Sequence, residues 1–518
     1  MFKPLLRGAA PLLLALAATT APAQPAPPIT AADMMRHIDR LASDEFQGRA
    51  PGTEGERLTI NYIAEQLAAR GAEPAGEGGT WFQPVRLVER RPGTTSLRWT
   101  ARGTAIAFPT GDIVLIGKEA SETLADAPVI FAGHGVRMPE RGIDQLAGAD
   151  VSGAVVLIML QPPQGVSGFP SLAQRTRMVT EAGAAAVIAI VGDEVPWANI
   201  VRSLGQGTTR LDSTPVPRLT GVMPASAAQR LIAAAGGDFG RLLNDQPGSS
   251  FRAATLPLRA SAEVATSVNR YNSNNVIGRI PGSGSGAGPG SGNTNESVLF
   301  LGHWDHFGIC RPEGEADRIC NGAVDNASGI AMMLEVAGRL GRQPRPARDI
   351  LFLATTSEEV GLLGAEYFAA HPVVPAQSIV AAINLDTVAI HPAGLPMAMI
   401  GRGISPALDR VVDATVLAAG RRLDSDDEAN VMVQRQDGWK LNQAGIPTIM
   451  VSGSFSDMSV LNRFLETTYH QPNDQPGGAI VMAGAVEDAN LLVALGRRLA
   501  DPAVYQRSRP QAPERDEG

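Results

Sequence analysis

"RDILFLATTSEEVGLLGAEYFAAH", residues 348–371, decides how the chain is read. Ile350–Ala354 is apolar without alternation, as a strand covered on both faces would be. The run stops at two threonines, a serine and the adjacent carboxylates Glu358 and Glu359. "GLLGAEYFAAH" then takes helical spacing. Neighbouring carboxylates repel, so the pair is either a solvated turn or part of a cation site. The rest of the sequence has to choose.

Outward from this stretch the pattern repeats. "SVLFLGH" reads as a strand, "NASGIAMMLEVAGRL" as a helix, "SIVAAINLD" as a strand and "SPALDRVVDATVLAAG" as a helix. "IPTIMVSG" is a further strand and "AIVMAGAVEDANLLVALGRRLA" a last helix. Such alternation predicts the α/β class, with a mostly parallel central sheet and helices on both faces. Two helix-like stretches come earlier, "AADMMRHIDRLASDEF" and "GTEGERLTINYIAEQLAARG". In the second, Ile60, Ile63, Ala64 and Leu67 share a face and Gly71 suits the C-cap.

From about 110 to 255 the texture changes to short β-like runs with an Ala-rich helix near 172–183, as in a β-rich module inserted into a larger domain. His134, in "FAGHGV", reads as a structural histidine of that module. "GSGSGAGPGSG", residues 282–292, has linker composition and lacks the lysine and following helix of a phosphate loop. It would join "NNVIGRI" and "SVLFLGH" as neighbouring strands. The expected division is a leader over 1–23, a first part of the main domain over 24–109 and an inserted module over 110–258. The rest of the main domain follows over 259–502, and a disordered tail over 503–518.

The 518 residues are 44% apolar and 19% charged, with a formal charge of -8. That describes a soluble globular chain and argues against nucleic acid or an anionic membrane surface as partner. Lys3 and Arg7 precede the apolar "PLLLALAATTAPA", and Ala21-Pro22-Ala23 suits signal peptidase, with cleavage expected after Ala23. No later run is long enough to span a bilayer. The mature chain is therefore expected to be exported, periplasmic or secreted, without stable membrane insertion. Its two cysteines, Cys310 and Cys320, read as one disulfide. The competing reading, a pair of zinc thiolates, lacks two further ligands nearby.

Ligands of open α/β sheets collect outside the carboxyl ends of the strands. "LFLGHWDH" ends in His303 and Asp305, and "NGAVDNASG" brings Asp325 to the mouth of a helix. "ILFLATTSEE" ends in Glu358 and Glu359, "VAAINLD" in Asp386, and "TTYHQPND" adds Tyr469 and His470. Two imidazoles and several carboxylates without thiolate suit zinc first, then cobalt or manganese. Asp325 could bridge two ions, and Asp305 could accept a hydrogen bond from His303. One of the paired glutamates would then bind a cation while the other takes a proton.

The ordered motifs "HWDHFG", "NGAVDNASG", "TTSEEVGLLG", "NLD", "QAGIPTIMVSG" and "YHQPND" resemble those of the secreted di-zinc aminopeptidases among the clan MH exopeptidases. That family is related to glutamate carboxypeptidase and glutaminyl cyclase. The likeness covers most of residues 30–110 and 260–500. "APVIFAGHGV" and "GADVSGAVVLIM" make the insertion similar to a protease-associated domain.

The resemblance implies peptide substrates and two zinc ions. His303 and Asp386 would hold one, Glu359 and His470 the other, with Asp325 between. Glu358 would be general base and acid, and Tyr469 an oxyanion donor. It also implies that Arg435 and Asp437 line the substrate cleft. Gln436 and Gly438-Trp439 depart from the family pattern there, which leaves side-chain preference open. A carboxypeptidase or dipeptidase, a single-zinc glutaminyl cyclase and a non-catalytic relative are the alternatives. A two-metal phosphatase would need clustered Arg or Lys near the site.

Overall fold

The computed structural model describes residues 26–163, 169–244, 251–284, 295–478 and 480–507. The leader with its cleavage point, most of the Gly-Ser stretch and residues 508–518 of the tail lie outside the described residues.

The molecule is built on one long mixed sheet. Thr448–Ser452, Ile379–Asn384, Ser297–His303 and Asp349–Thr355 lie side by side in that order, all parallel. Ala398–Ile400 closes one edge antiparallel, and Ala254–Ile280 pairs antiparallel on the other side of Asp349–Thr355. The expectation that "NNVIGRI" and "SVLFLGH" are neighbours is therefore incorrect. Asp349–Thr355 intervenes, because a parallel strand following a helical crossover fits between them better than a hairpin across a long linker.

The uninterrupted apolar runs follow from burial on both faces. Val298 and Phe300 join one core with the helices Ala31–Leu41, Glu54–Ala69, Gly329–Gly341, Pro406–Ala418 and Met482–Leu499. Leu299 and Leu301 join another with Phe368 of Leu363–Ala370 and with Leu441. This is the mostly parallel, doubly covered α/β sheet expected.

Phe82–Ala101 and Ala254–Ile280 form a long antiparallel ribbon that continues into residues 110–258. Ser121–Phe131 pairs with Ala254–Ile280, and Val155–Met159, Ala186–Val191 and Leu219–Pro224 follow in parallel. Residue 258 thus falls inside a continuous strand. His134 sits in this unit, edge-on to Phe169, where burial and nearby Arg175 push its pKa down to about 4. No helix among the described residues is long and apolar enough to cross a membrane.

Candidate metal centre

All four parallel strands present their carboxyl ends at one edge, and the polar residues converge there. His303 ends its strand, Glu358 and Glu359 follow Asp349–Thr355, and Asp386 follows Ile379–Asn384. Asp325 lies in the turn Ala323–Ser328 that leads into Gly329–Gly341, joined to Asn326 by a cis peptide bond. Two glycines allow these segments to meet. A Cβ at Gly302 or Gly329 would lie 2.6 or 2.2 Å from the carbonyl oxygen of Leu385, so His303, Asp325 and Asp386 can share one small space. Ser357, Thr387 and His470 adopt positive φ of 55°, 51° and 60°, uncommon for residues with side chains. Such strain is retained where the surroundings over-determine it, as around a functional site.

Two groups result. His303 Nε2 lies 3.2 Å from Asp325 Oδ1 and 3.5 Å from Asp386 Oδ1. His470 Nε2 lies 3.0 Å from Glu359 Oε2 and 3.4 Å from Asp325 Oδ2. Asp325 thus offers one oxygen to each imidazole. Yet His303 Nε2, Asp325 Oδ2 and His470 Nε2 form no aligned hydrogen bond, although all are buried. Atoms that approach without pairing point at a common space, and this donor set fits divalent zinc-type ions. Glu358 stands beside the first group, 4.0 Å from His303 Nε2.

The electrostatics suit a site that receives positive charge. Burial alone would lower the pKa of His303, but Glu358, Asp325 and Asp386 hold it well above the ordinary value. Burial would likewise lower His470, but Asp325 and Glu359 overcome it and raise the ring to about 9. Protons on these rings balance charge that a cation would otherwise balance. Glu358 is raised well above a normal carboxylate, chiefly by burial, with Glu359, Asp437 and Asp386 adding to it and His303 opposing.

The other predicted residues fall in distinct places. Asp305 does not hold the His303 ring through its carboxylate. Nδ1 meets the Asp305 main-chain carbonyl at 3.2 Å, while Oδ1 is 3.9 Å away and accepts the Glu358 N–H at 3.1 Å. The Asp305 carboxylate is instead engaged by the Glu358 N–H, and its carbonyl lies at the ring. Tyr469 stacks on His470 at 3.5 Å between ring centroids and lines a cavity of about 40 Å³ with Asp325, Glu358, Asp386 and Arg435. Asp437 is buried, accepts the Thr355 hydroxyl, and is pushed up to about 6 first by burial. Gln436, not Asp437, lines that cavity beside Arg435. Cys310 and Cys320 form the disulfide.

Three residues escaped the sequence reading. His306 is buried, with Nδ1 2.5 Å from Glu359 Oε1 and Nε2 without a partner. It forms a further group with Asp325 and Glu359, and its place in "HWDH" was a usable signal. Asp474 accepts the N–H groups of Val324 and Asp325 at 2.9 and 3.1 Å, tying the His470 loop to Asp325. Arg49, buried, donates to the carbonyls of Leu41, Trp304, Asn321 and Gly322 and so fixes the loops on both sides of the site.

Residues 275–489 match the family described as Peptidase family M28. The chain is 23% identical over 445 residues to a probable lipoprotein aminopeptidase, LpqL, of Mycobacterium tuberculosis, over 82% of this chain and 74% of that protein. A vacuolar membrane protease of Yarrowia lipolytica is 47% identical over 66 residues, 12% of this chain and 6% of that one. Among solved structures, an aminopeptidase from Aneurinibacillus sp. strain AM-1 aligns with a TM-score of 0.51 at 19% identity, covering 93% of this chain and 96% of that one. It has the same fold.

Proposed function

We propose that this chain, whose residues 275–489 match Peptidase family M28, is a two-zinc aminopeptidase that removes N-terminal residues from peptides. The observation that carries this reading is Asp325, one oxygen toward His303 and the other toward His470, with Glu358 free beside them. His303 and Asp386 would hold one ion, Glu359 and His470 the second, with Asp325 shared. Zinc bound there supplies a water of lowered pKa and polarises the substrate carbonyl.

Glu358, nearly enclosed and 4.0 Å from His303 Nε2 without bonding it, accepts the proton of the attacking water and returns it to the leaving amine. Its main-chain N–H on Asp305 fixes where the carboxylate stands. The Tyr469 phenol, kept protonated by burial and the neighbouring carboxylates, can donate a hydrogen bond to a developing oxyanion. His306 holds Glu359 Oε1, which leaves Oε2 turned toward His470. Met450, Phe455, Leu461 and Leu465 wall the cavity, which suits an apolar N-terminal side chain. The disulfide supports an oxidising, exported location.

The deciding assay compares leucine anilide with N-blocked peptides and with peptides ending in glutamate. Zinc-dependent turnover of the first alone supports the aminopeptidase. Turnover confined to either of the others moves the reading to endopeptidase or carboxypeptidase.

A further inference from the structure

Phe307, the apolar residue that follows His306 in "HWDHFG", keeps 36% of its surface exposed at the rim of the metal centre. Its main chain is held on both sides. His306 before it is buried and bonded to Glu359, and the His306 N–H donates to the Arg49 carbonyl at 3.4 Å. Gly308 after it has a φ of 68°, and a Cβ there would stand 2.7 Å from that of Ala50. The chain then enters the hairpin of Gly308–Ile309 with Ile319–Cys320, which the disulfide closes and Arg311 ties to Gln471 beside His470. The Phe307 ring therefore has a fixed place.

That place is against His470. The two ring centroids are 4.4 Å apart, with planes inclined at 58°. Tyr469 already covers one face of the imidazole at 3.5 Å and 28°, so Phe307 has to approach from outside that face. Tilted and offset-stacked aromatic pairs attract. The three imidazoles of the centre differ in what fixes them. His303 and His306 are buried and each bonds through Nδ1, to the Asp305 carbonyl at 3.2 Å and to Glu359 at 2.5 Å. The His470 side chain is 31% exposed, its φ is 60°, and among the described residues its Nδ1 has no hydrogen-bond partner. A ligating imidazole is ordinarily oriented by a hydrogen bond on its second nitrogen. Packed rings take that part at His470.

We propose that Phe307 is a positioning residue for the second cation: its ring holds the His470 imidazole with Nε2 toward Glu359 and Asp325, in place of the hydrogen bond that Nδ1 lacks. This rests on the two-zinc reading above and adds to it a residue outside the ligand set. An exposed aromatic side chain is then retained for the ligand it covers.

Two measurements on the full chain test it. In zinc titrations against a competing chelator, the step that belongs to the His470 position is the one that His470→Asn abolishes. Phe307→Ala is expected to weaken that step about tenfold, the upper worth of one aromatic pair, and to leave the other step as it was. Phe307→Tyr keeps the ring and restores the native affinity, whereas Phe307→Leu keeps apolar bulk alone and does not. No loss in either step, equal loss in both, or full rescue by leucine overturns the proposal. The second measurement uses the metal-free chain, isotope-labelled at the ring carbons of its seven histidines. Phe307→Ala should move the His470 resonance, identified by its loss in His470→Asn, because the ring current of the phenyl is gone. The resonances of His37 and His134, which lie elsewhere, should stay in place and show that the variant folds. A His470 resonance that does not move overturns the proposal. If the native chain takes up no zinc, the two-zinc reading falls alone, and the resonance decides whether Phe307 holds the imidazole.

Discussion

The helix Gly329–Gly341 carries one buried acid–base cluster at its middle and follows another at its N-terminus, and the two are built in opposite ways. Behind the sheet, Glu335 receives His37 at 3.0 Å, Arg70 at 2.6 Å and Arg339 at 2.8 Å, and Arg339 also reaches Asp33 at 2.9 Å. Each Glu335 oxygen has a donor, and cations surround it. Burial alone would raise its pKa, but the bonds from His37 and Arg70 bring it down to about 2. At the other end, Asp325 and its neighbours are carboxylates in excess. The nearby Arg49 donates only to carbonyls, and several buried nitrogens and oxygens lack partners. A cluster that serves the fold brings its own counter-charges, whereas one that serves a bound cation leaves room for them.

The strongest way to break this contrast is to remove the shared ligand. Asp325→Ala should empty both proposed positions, with zinc per chain by emission spectrometry falling to background and activity falling to that of the chelator-treated chain. Glu358→Gln should leave zinc content intact and lower kcat by about 10²–10⁴-fold. A variant that kept full activity would free Glu358 of its role. Glu335→Leu should do the reverse. It leaves Arg70 without its counter-charge and Arg339 with Asp33 alone, and costs about 3–5 kcal/mol in denaturant unfolding, while kcat for leucine anilide stays within a factor of two.

Acid and alkali sharpen the comparison, because the two clusters respond with opposite sign. The folded pKa of Glu335 lies below its ordinary 4.5, so its stabilisation is present above that pH and lost as pH falls toward 2. The drop corresponds to about 3 kcal/mol. Asp305, Asp437, Asp474 and His470 are raised instead, to about 8, 6, 6 and 9, burial being the largest influence on each and, for His470, one that carboxylates overcome. The metal-free folded chain then binds more protons than the unfolded one, and its stability falls as pH rises from 5 through 9. Thermal melts of the chelated chain should decline over that range, and zinc should abolish the decline, because the metal replaces the protons. The smallest effect expected is that of His306→Asn, which loosens Glu359 and weakens zinc binding about 10–100-fold without emptying the site. Titration against a competing chelator reads it.

The legible parts of this molecule are those where burial writes itself into consecutive residues. Val298–Leu301 and Ile350–Ala354 are apolar on both faces, so the strands and the edge bearing His303, Glu358 and Glu359 stood out. Ala254–Ile280 did not, because only its "NNVIGRI" end sets two bulky apolar residues, Val276 and Ile277, side by side. The rest alternates small inward residues such as Ala260 and Ala262 with polar outward ones. Asp305 was expected to act through its side chain, but its carbonyl takes that contact while its carboxylate accepts the Glu358 N–H. Asp474 was illegible for another reason. It acts on main-chain N–H groups 149 and 150 residues away, and backbone donors leave no mark in a sequence.

On the reading proposed above, Asp325 stands between two cations. Anomalous diffraction at the zinc edge from crystals of the zinc-loaded chain tests it most directly. Two peaks are expected, each about 2.0–2.2 Å from a different Asp325 oxygen, one beside His303 and Asp386 and one beside Glu359 and His470. Peaks that avoid Asp325, or a map with none in this cluster at saturating zinc, would contradict it.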